Sequence, residues 1–162
     1  MSKISPCLWF DGQAEEAARF YVSVFGGSVD SVSRYPDDVP SPAPFKGGDV
    51  LVVEFTLFGQ SYQGLNGGPN FPFTEAISLS VSCRDQAELD RYFEALTADG
   101  GSAGPCGWVK DKYGLSWQLV PEEVMEMHRK GGPGIQPMMA EMMTMQKLDL
   151  ARMKAAYEGV TA

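Results

Sequence analysis

Apolar and polar residues change period along this chain, and the changes outline its elements. Residues 4–10 are an apolar run bounded by turn signals, which predicts a strand. Asp11-Gly12 follows, with Asp11 the expected helix N-cap. Over 13–25, Ala14, Ala17, Ala18, Tyr21, Val24 and Phe25 recur at helical spacing, Glu15 and Glu16 stand in the first turn, and Gly26-Gly27 ends the helix. Residues 29–35 predict a second strand. Residues 36–48 hold four prolines and two glycines and predict an exposed loop. In the strand predicted over 49–58, Leu51, Val53, Phe55 and Leu57 point one way, and Val52, Glu54 and Thr56 the other. Gly59-Gln60 turns the chain into a further strand over 61–66, completing a hairpin.

The pattern then returns. In a strand over 76–83, Ile77, Leu79, Val81 and Cys83 alternate with Ala76, Ser78, Ser80 and Ser82. Asp85 and Glu88 have capping-box spacing, and Leu89, Tyr92, Phe93 and Leu96 form a helix stripe that Gly100-Gly101 stops. Strands are predicted around 106–110 and over 115–120. Local sequence repeats too: Gln13-Ala14-Glu15, Arg19-Phe20-Tyr21 and Gly26-Gly27-Ser28 are echoed by Gln86-Ala87-Glu88, Arg91-Tyr92-Phe93 and Gly100-Gly101-Ser102. Each half reads strand–helix–strand–strand–strand. Two helices are too few for a doubly wound parallel sheet, so the pattern predicts an α+β fold with one helix over each mostly antiparallel sheet. Module one spans 3–67 and module two 75–121, within a domain over 1–121. The helix-free faces, with residues such as Ser78, Ser80 and Gln118, are expected to curve around a cleft.

Residues 122–162 form a C-terminal helical extension. A short helix is predicted over 122–129, a break at Gly131-Gly132-Pro133-Gly134, and a long helix over 138–157. Its stripe of Met139, Met142, Met143, Leu150, Met153 and Tyr157 predicts a packing face. The alternative is a pliable methionine surface for a partner or a second subunit.

Composition narrows the function. At 162 residues, 44% hydrophobic and 21% charged, the chain suits one compact domain or two small halves sharing a core. Thirteen basic against 21 acidic residues give a net charge of −8, which repels phosphate backbones, so no nucleic acid partner is expected. No apolar run approaches the ~20 residues that span a bilayer. The first residues lack the apolar core of a signal peptide, so no membrane partner and a cytoplasmic location are expected. Three cysteines without Cys-x-x-Cys spacing suggest neither a disulfide framework nor a zinc knuckle.

Several segments carry a family resemblance. They are Leu8-Trp9-Phe10-Asp11-Gly12, Phe20-Tyr21 with Val24-Phe25-Gly26, Leu65-Asn66-Gly67-Gly68-Pro69, Cys106-Gly107-Trp108, and the long run from Asp111-Lys112-Tyr113-Gly114 through Gln118 to Pro121. They closely resemble the PhnB-like group, often described as "3-demethylubiquinone-9 3-methyltransferase". That group belongs to the vicinal oxygen chelate superfamily, with the glyoxalase I, bleomycin-resistance and extradiol dioxygenase proteins. The resemblance covers almost the whole chain, including Met145-Gln146-Lys147-Leu148-Asp149. It implies paired βαβββ modules, in agreement with the repeat, and a homodimer.

The resemblance also implies where a metal would be held. The superfamily's metal enzymes use four ligands, typically His or Glu, on the first and last strands of each module. Here residues 4–10 contain neither His nor carboxylate. Gly64 and Asn66 occupy the plausible ligand face of the fourth strand. Ala76 stands at the usual His position and Gln118 at the usual Glu position. Amides bind divalent ions poorly beside imidazole and carboxylate, so no metal ligands, no divalent metal and no other cofactor are expected.

The leading expectation is therefore a metal-free protein that binds a small organic molecule, as bleomycin-resistance proteins do. Trp9 and Trp108 would grip the ligand, while Gln63, Asn66, Ser78, Ser116 and Gln118 would orient it. The alternative is an enzyme of the same superfamily, of isomerase, dioxygenase or lyase type. Glu54 is then the candidate general base and Cys106 the candidate nucleophile. By family label alone it would be a methyltransferase, yet no strand leads into a Gly-x-Gly-x-x-Gly turn and helix that would hold S-adenosylmethionine. Against these roles, Glu54 also suits a solvent-facing position and Cys106 a structural thiol. Cys7 and Cys83 are expected in the core, as is Trp117, which alternates with Gln118. His128, the chain's single histidine, is expected at an exposed helix end.

Overall fold

The two halves of the pattern fold into two sheets of identical connectivity. The computed structural model, described over residues 3–38, 40–41 and 44–159, divides into two compact units, Met1–Phe73 and Thr74–Ala162. In the first, β1 (Cys7–Phe10) leads to α1 (Ala14–Phe25), then β2 (Ser28–Arg34), β3 (Val50–Leu57) and β4 (Gln60–Asn66). The strands lie in the order β1-β4-β3-β2, with β1 parallel to β4 and the other pairs antiparallel. In the second, β5 (Ser78–Cys83) leads to α2 (Gln86–Thr97), then β6 (Ser102–Ala103), β7 (Trp108–Lys110) and β8 (Ser116–Pro121). Their order is β5-β8-β7-β6, with β5 parallel to β8. The α+β fold and the βαβββ repeat read from the sequence stand. Two-residue β6 is too short to show a period and was legible only through the repeat.

Each helix closes one face of its sheet. Ala14, Ala17, Ala18 and Tyr21 of α1 are fully buried over the side of the first sheet that carries Leu8, Phe10, Val53, Phe55 and Leu57. The approach is close because Gly64 has no side chain: a Cβ there would stand 3.2 Å from the Ala14 Cβ. In the second unit, Leu89, Tyr92 and Leu96 of α2 pack toward Val109, Trp117 and Leu119. Trp117 is a core residue, and its indole Nε1–H donates to buried Asp111 Oδ2 at 2.8 Å. The other Asp111 oxygen accepts from the Tyr113 and Leu115 amides at 2.9 and 3.1 Å, which shapes the turn between β7 and β8.

The helix starts differ. At α2 the expected pair is in place: the Glu88 amide donates to the N-cap Asp85 Oδ1 at 2.8 Å, and Glu88 Oε2 accepts from the amide of Arg84, one residue before the cap, at 2.7 Å. Asp11 does not cap α1. Gln13 holds the cap position without a side-chain bond, and the Ala14 amide instead donates to Asn66 Oδ1 at 2.9 Å. Asn66 Nδ2 donates to the Val50 carbonyl at 3.0 Å. One buried amide, 2% exposed, thus ties the start of α1 to β3 and β4.

The predicted long helix over 138–157 is broken. After α3 (Glu122–Lys130) come α4 (Ile135–Met142) and α5 (Leu150–Glu158). Between them the carbonyls of Met145 and Gln146 accept from the Cys106 and Gly107 amides, each at 2.8 Å. Those bonds hold the segment against module two instead of letting it coil. Asp149 Oδ1 then caps α5 by accepting from the Arg152 amide at 3.0 Å. The buried residues are Met138, Met145, Leu148, Met153 and Tyr157, while Met143 is 69% exposed. Where the sequence sets 122–162 apart, the fold gathers it with module two in one unit.

Replacing Asn66 with alanine leaves the Ala14 amide and the Val50 carbonyl without their partner. Asn66→Ala is expected to lower unfolding free energy by about 1–3 kcal/mol in urea titration; a loss below about 0.5 kcal/mol would show that the amide does not hold α1.

Candidate functional site

A sheet covered on one side by a helix leaves its other side for polar and aromatic groups, and register decides which residues share it. In the second unit, Trp108 is opposite Gln118 and Lys110 opposite Ser116, and Ser78 and Ser80 are in register with Ser116 and Gln118. Alternation puts all of these on the side away from α2. Gln118 Nε2–H donates to Ser78 Oγ at 2.8 Å. A cavity of about 420 Å³ opens here, lined by Glu75, Ser102, Trp108, Lys110, Ser116 and the Gly104-Pro105 turn. Lys110 donates to Glu75 across it. That hydrogen bond is the main reason the Glu75 carboxyl is held below its usual pKa.

Four of the seven expected ligand residues, Ser78, Trp108, Ser116 and Gln118, therefore share one face. Sequence reasoning passed over Lys110 and Glu75. Lys110 follows Trp108 by two in a strand, so its side was readable. Glu75 precedes β5, where no period applies.

The first unit has its own open face. Gln63 is in register with both Glu54 and Cys7, and Glu54 is followed by Ser31 on β2. Glu54 is exposed and its Oε2 accepts from Ser31 Oγ at 2.9 Å. Nearby, Asp30 accepts from Ser28 Oγ at 2.5 Å and Thr56 Oγ1 at 2.7 Å, bonds that hold its carboxyl below the usual value, the Ser28 bond first. A depression of about 650 Å³ involves Asp30, Glu54, Thr56, Ser61, Tyr62 and Gln63.

Trp9 lies on the same side of β1 as Cys7. Its Nε1–H donates to the Gly68 carbonyl at 2.7 Å, and its ring meets Phe71 edge-on at 4.9 Å. A side chain on Gly67 would enter the Trp9 ring, so the glycine turn exists to seat the indole.

Gly64 and Asn66 are not on the open face. They point toward α1, because the strand must leave room for Ala14 and supply the cap. Cys106 lies in the turn before β7 with φ +57°, its Sγ 3.6 Å from Met143 Sδ. The histidine stands elsewhere, its Nε2 3.3 Å from Met139 Sδ at the exposed end of α3. No imidazole accompanies the Cys106 thiol.

Comparison with known proteins fixes the lineage. The family model described as 3-demethylubiquinone-9 3-methyltransferase matches residues 2–120. The chain belongs to that PhnB-like family. A solved PhnB protein from Bacillus cereus, carrying the same family description, is 38% identical, with TM-score 0.64, over 74% of this chain and 99% of its own. Protein PA1353 from Pseudomonas aeruginosa is 25% identical, with TM-score 0.61, over 75% of this chain and 98% of its own. Fosfomycin resistance protein FosX from Mesorhizobium loti, 16% identical with TM-score 0.53 over 74% and 92%, shares the fold. No curated protein matches.

The residues present do not suit the divalent site that the wider superfamily implies. Ala76 and Gly64 offer no donor, Asn66 is spent on α1, and Gln118 is bonded to Ser78. Among the described residues, no three or more His, Cys, Asp or Glu side chains come together as a metal-holding group. Among the described residues, too, no helix is long and apolar enough to cross a membrane.

The cysteines differ in access. Cys83 is buried, and burial, with help from the Glu88 charge, pushes its thiol pKa up to about 12. Cys7, expected in the core, is exposed because it faces away from α1 at the edge of the sheet. Iodoacetamide at pH 8 is expected to modify Cys7 and Cys106 in the native protein and Cys83 only after unfolding. Peptide mapping that finds all three modified at one rate would contradict this placement.

Proposed function

We propose that this protein binds a small, planar, largely apolar organic molecule on the open face of its second sheet and holds no resident divalent metal. The observation that carries this reading is the grouping of Trp108, Ser116, Lys110 and Glu75 around one cavity. An indole supplies a flat apolar surface, and the hydroxyl and the ion pair offer a few converging polar groups. The Glu75–Lys110 pair is largely exposed, with side chains 63% and 42% accessible. A ligand carboxylate can therefore take over Lys110 at little electrostatic cost.

The family description names methyl transfer. That reaction needs S-adenosylmethionine, usually held where a strand runs through a glycine-rich turn into a helix. Here β1 reaches α1 through Asp11-Gly12-Gln13, and β5 reaches α2 through Arg84-Asp85. Neither is such a turn, and we read the description as a family label. An acid–base enzyme built on Glu54 draws no support from that carboxylate's exposed position and its bond to Ser31.

Ligand-observed NMR with 2-naphthoate and its neutral counterpart 2-naphthol tests the binding reading. At least one is expected to bind with one site per chain, and Trp108→Ala is expected to weaken it tenfold or more, about 1.4 kcal/mol. Stronger binding of the carboxylate would assign the polar anchor to Lys110. Absence of binding by both, or equal binding by the variant, would sink the proposal.

Elemental analysis of protein purified without chelators is expected to find far less than one equivalent of divalent metal per chain. A near-stoichiometric metal that disappears in Gln118→Ala would reverse that conclusion.

A further inference from the structure

We infer that the segment joining α4 to α5, residues 143–149, positions one wall of the Trp108 cavity and so sets which ligands the second unit admits. This rests on the binding reading above and adds the element that controls it. The wall is the turn 104–108. Within it the Gly104 amide donates to the Trp108 carbonyl at 2.8 Å, and the Trp108 amide to the Pro105 carbonyl at 3.1 Å. Two of its residues, Cys106 and Gly107, both lie in the left-handed region, at φ +57° and +82°. A non-glycine residue stays there only when its surroundings over-determine it.

Those surroundings come from the segment. Cys106 and Gly107 donate their amides to the Met145 and Gln146 carbonyls. Leu148, 1% exposed, presses on Gly107 so closely that a Cβ there would lie 3.0 Å from the leucine side chain. Met143 meets the Cys106 thiol.

The segment is itself held from α2, away from the cavity. Gln86 Nε2–H donates to the Leu148 carbonyl at 3.0 Å, and its Oε1 accepts from the Leu150 amide at 2.8 Å. Lys147 pairs with Asp90 at 2.8 Å. A line of contacts therefore runs from Gln86 through residues 145–148 to the turn that carries Trp108. All of 143–149 lies beyond residue 120, where the family match ends.

Two measurements on the full chain test this. Amide hydrogen exchange at Cys106–Trp108, followed without ligand, is expected to accelerate tenfold or more in Gln86→Ala and in Leu148→Ala, and to recover in Leu148→Met. In the same two alanine variants, 2-naphthoate affinity is expected to fall fivefold or more. Their preference for 2-naphthoate over the bulkier 1-adamantanecarboxylate should shrink as well. Tyr157→Phe, which removes only the bond to the Gly131 carbonyl, should change neither quantity even if it lowers stability equally.

Unchanged exchange in both alanine variants would overturn the clamp. Faster exchange with unchanged affinity and selectivity would overturn its control of the site. If the unaltered protein binds neither 2-naphthoate nor 2-naphthol, the binding reading fails and takes the control of selectivity with it, while the ligand-free exchange still decides whether the segment holds the turn.

Discussion

One helix can cover only one side of a four-stranded sheet, and everything distinctive about this chain follows from that geometry. Each βαβββ module has a single helix, α1 or α2, so each sheet has one packed side and one open side. Packing demands small or apolar residues beneath the helix, which is why Ala14, Ala17 and Ala18 meet Leu8, Val53 and Phe55 over Gly64. The open side is freed from that demand and can carry tryptophan, serine, glutamine and paired charges. The polar groups available for chemistry are therefore those whose strand parity points them away from α1 or α2. Neither the family description nor the residue types alone would have selected them.

Parity was legible wherever apolar residues alternate cleanly. Leu51 to Leu57, Leu79 to Cys83 and Leu115 to Leu119 announce their sides, and Ser78, Trp108, Ser116 and Gln118 fall together as a result. The β4 strand misled because its one large aliphatic residue, Leu65, lies on the open side. The packed side there is taken by Gly64 and Asn66, one chosen for smallness and one for its cap. An amide that caps a helix 52 residues earlier leaves no local mark in sequence. The apparent cap Asp11 was a local signal that a distant bond outcompeted.

The same contrast explains the extension. Methionines at helical spacing predict a helix through 138–157, and nothing local forbids it. The break comes from two backbone amides in the Cys106-Gly107 turn, which recruit the carbonyls of Met145 and Gln146. A tertiary demand thus converts about two turns of helix into a strap. Asp149, which caps the resumed helix, was the one signal in the sequence that the coil starts again there.

The contact between Gln118 and Ser78 bears most directly on the chemistry of this family member. The resemblance puts Gln118 where related metal enzymes carry glutamate. A glutamate there would be an anion on a sheet face and would gain from a cation. The amide is neutral, and its N–H is satisfied by a hydroxyl one strand away. Its carbonyl oxygen and the neighbouring hydroxyls accept and donate single hydrogen bonds, and Trp108 in the same row offers a flat apolar surface. Polar groups of that kind select a ligand by shape and hydrogen-bond pattern, whereas a Lewis acid would act on it by polarising a bond. On the binding function proposed above, an amide in place of a carboxylate suits this face to holding a molecule.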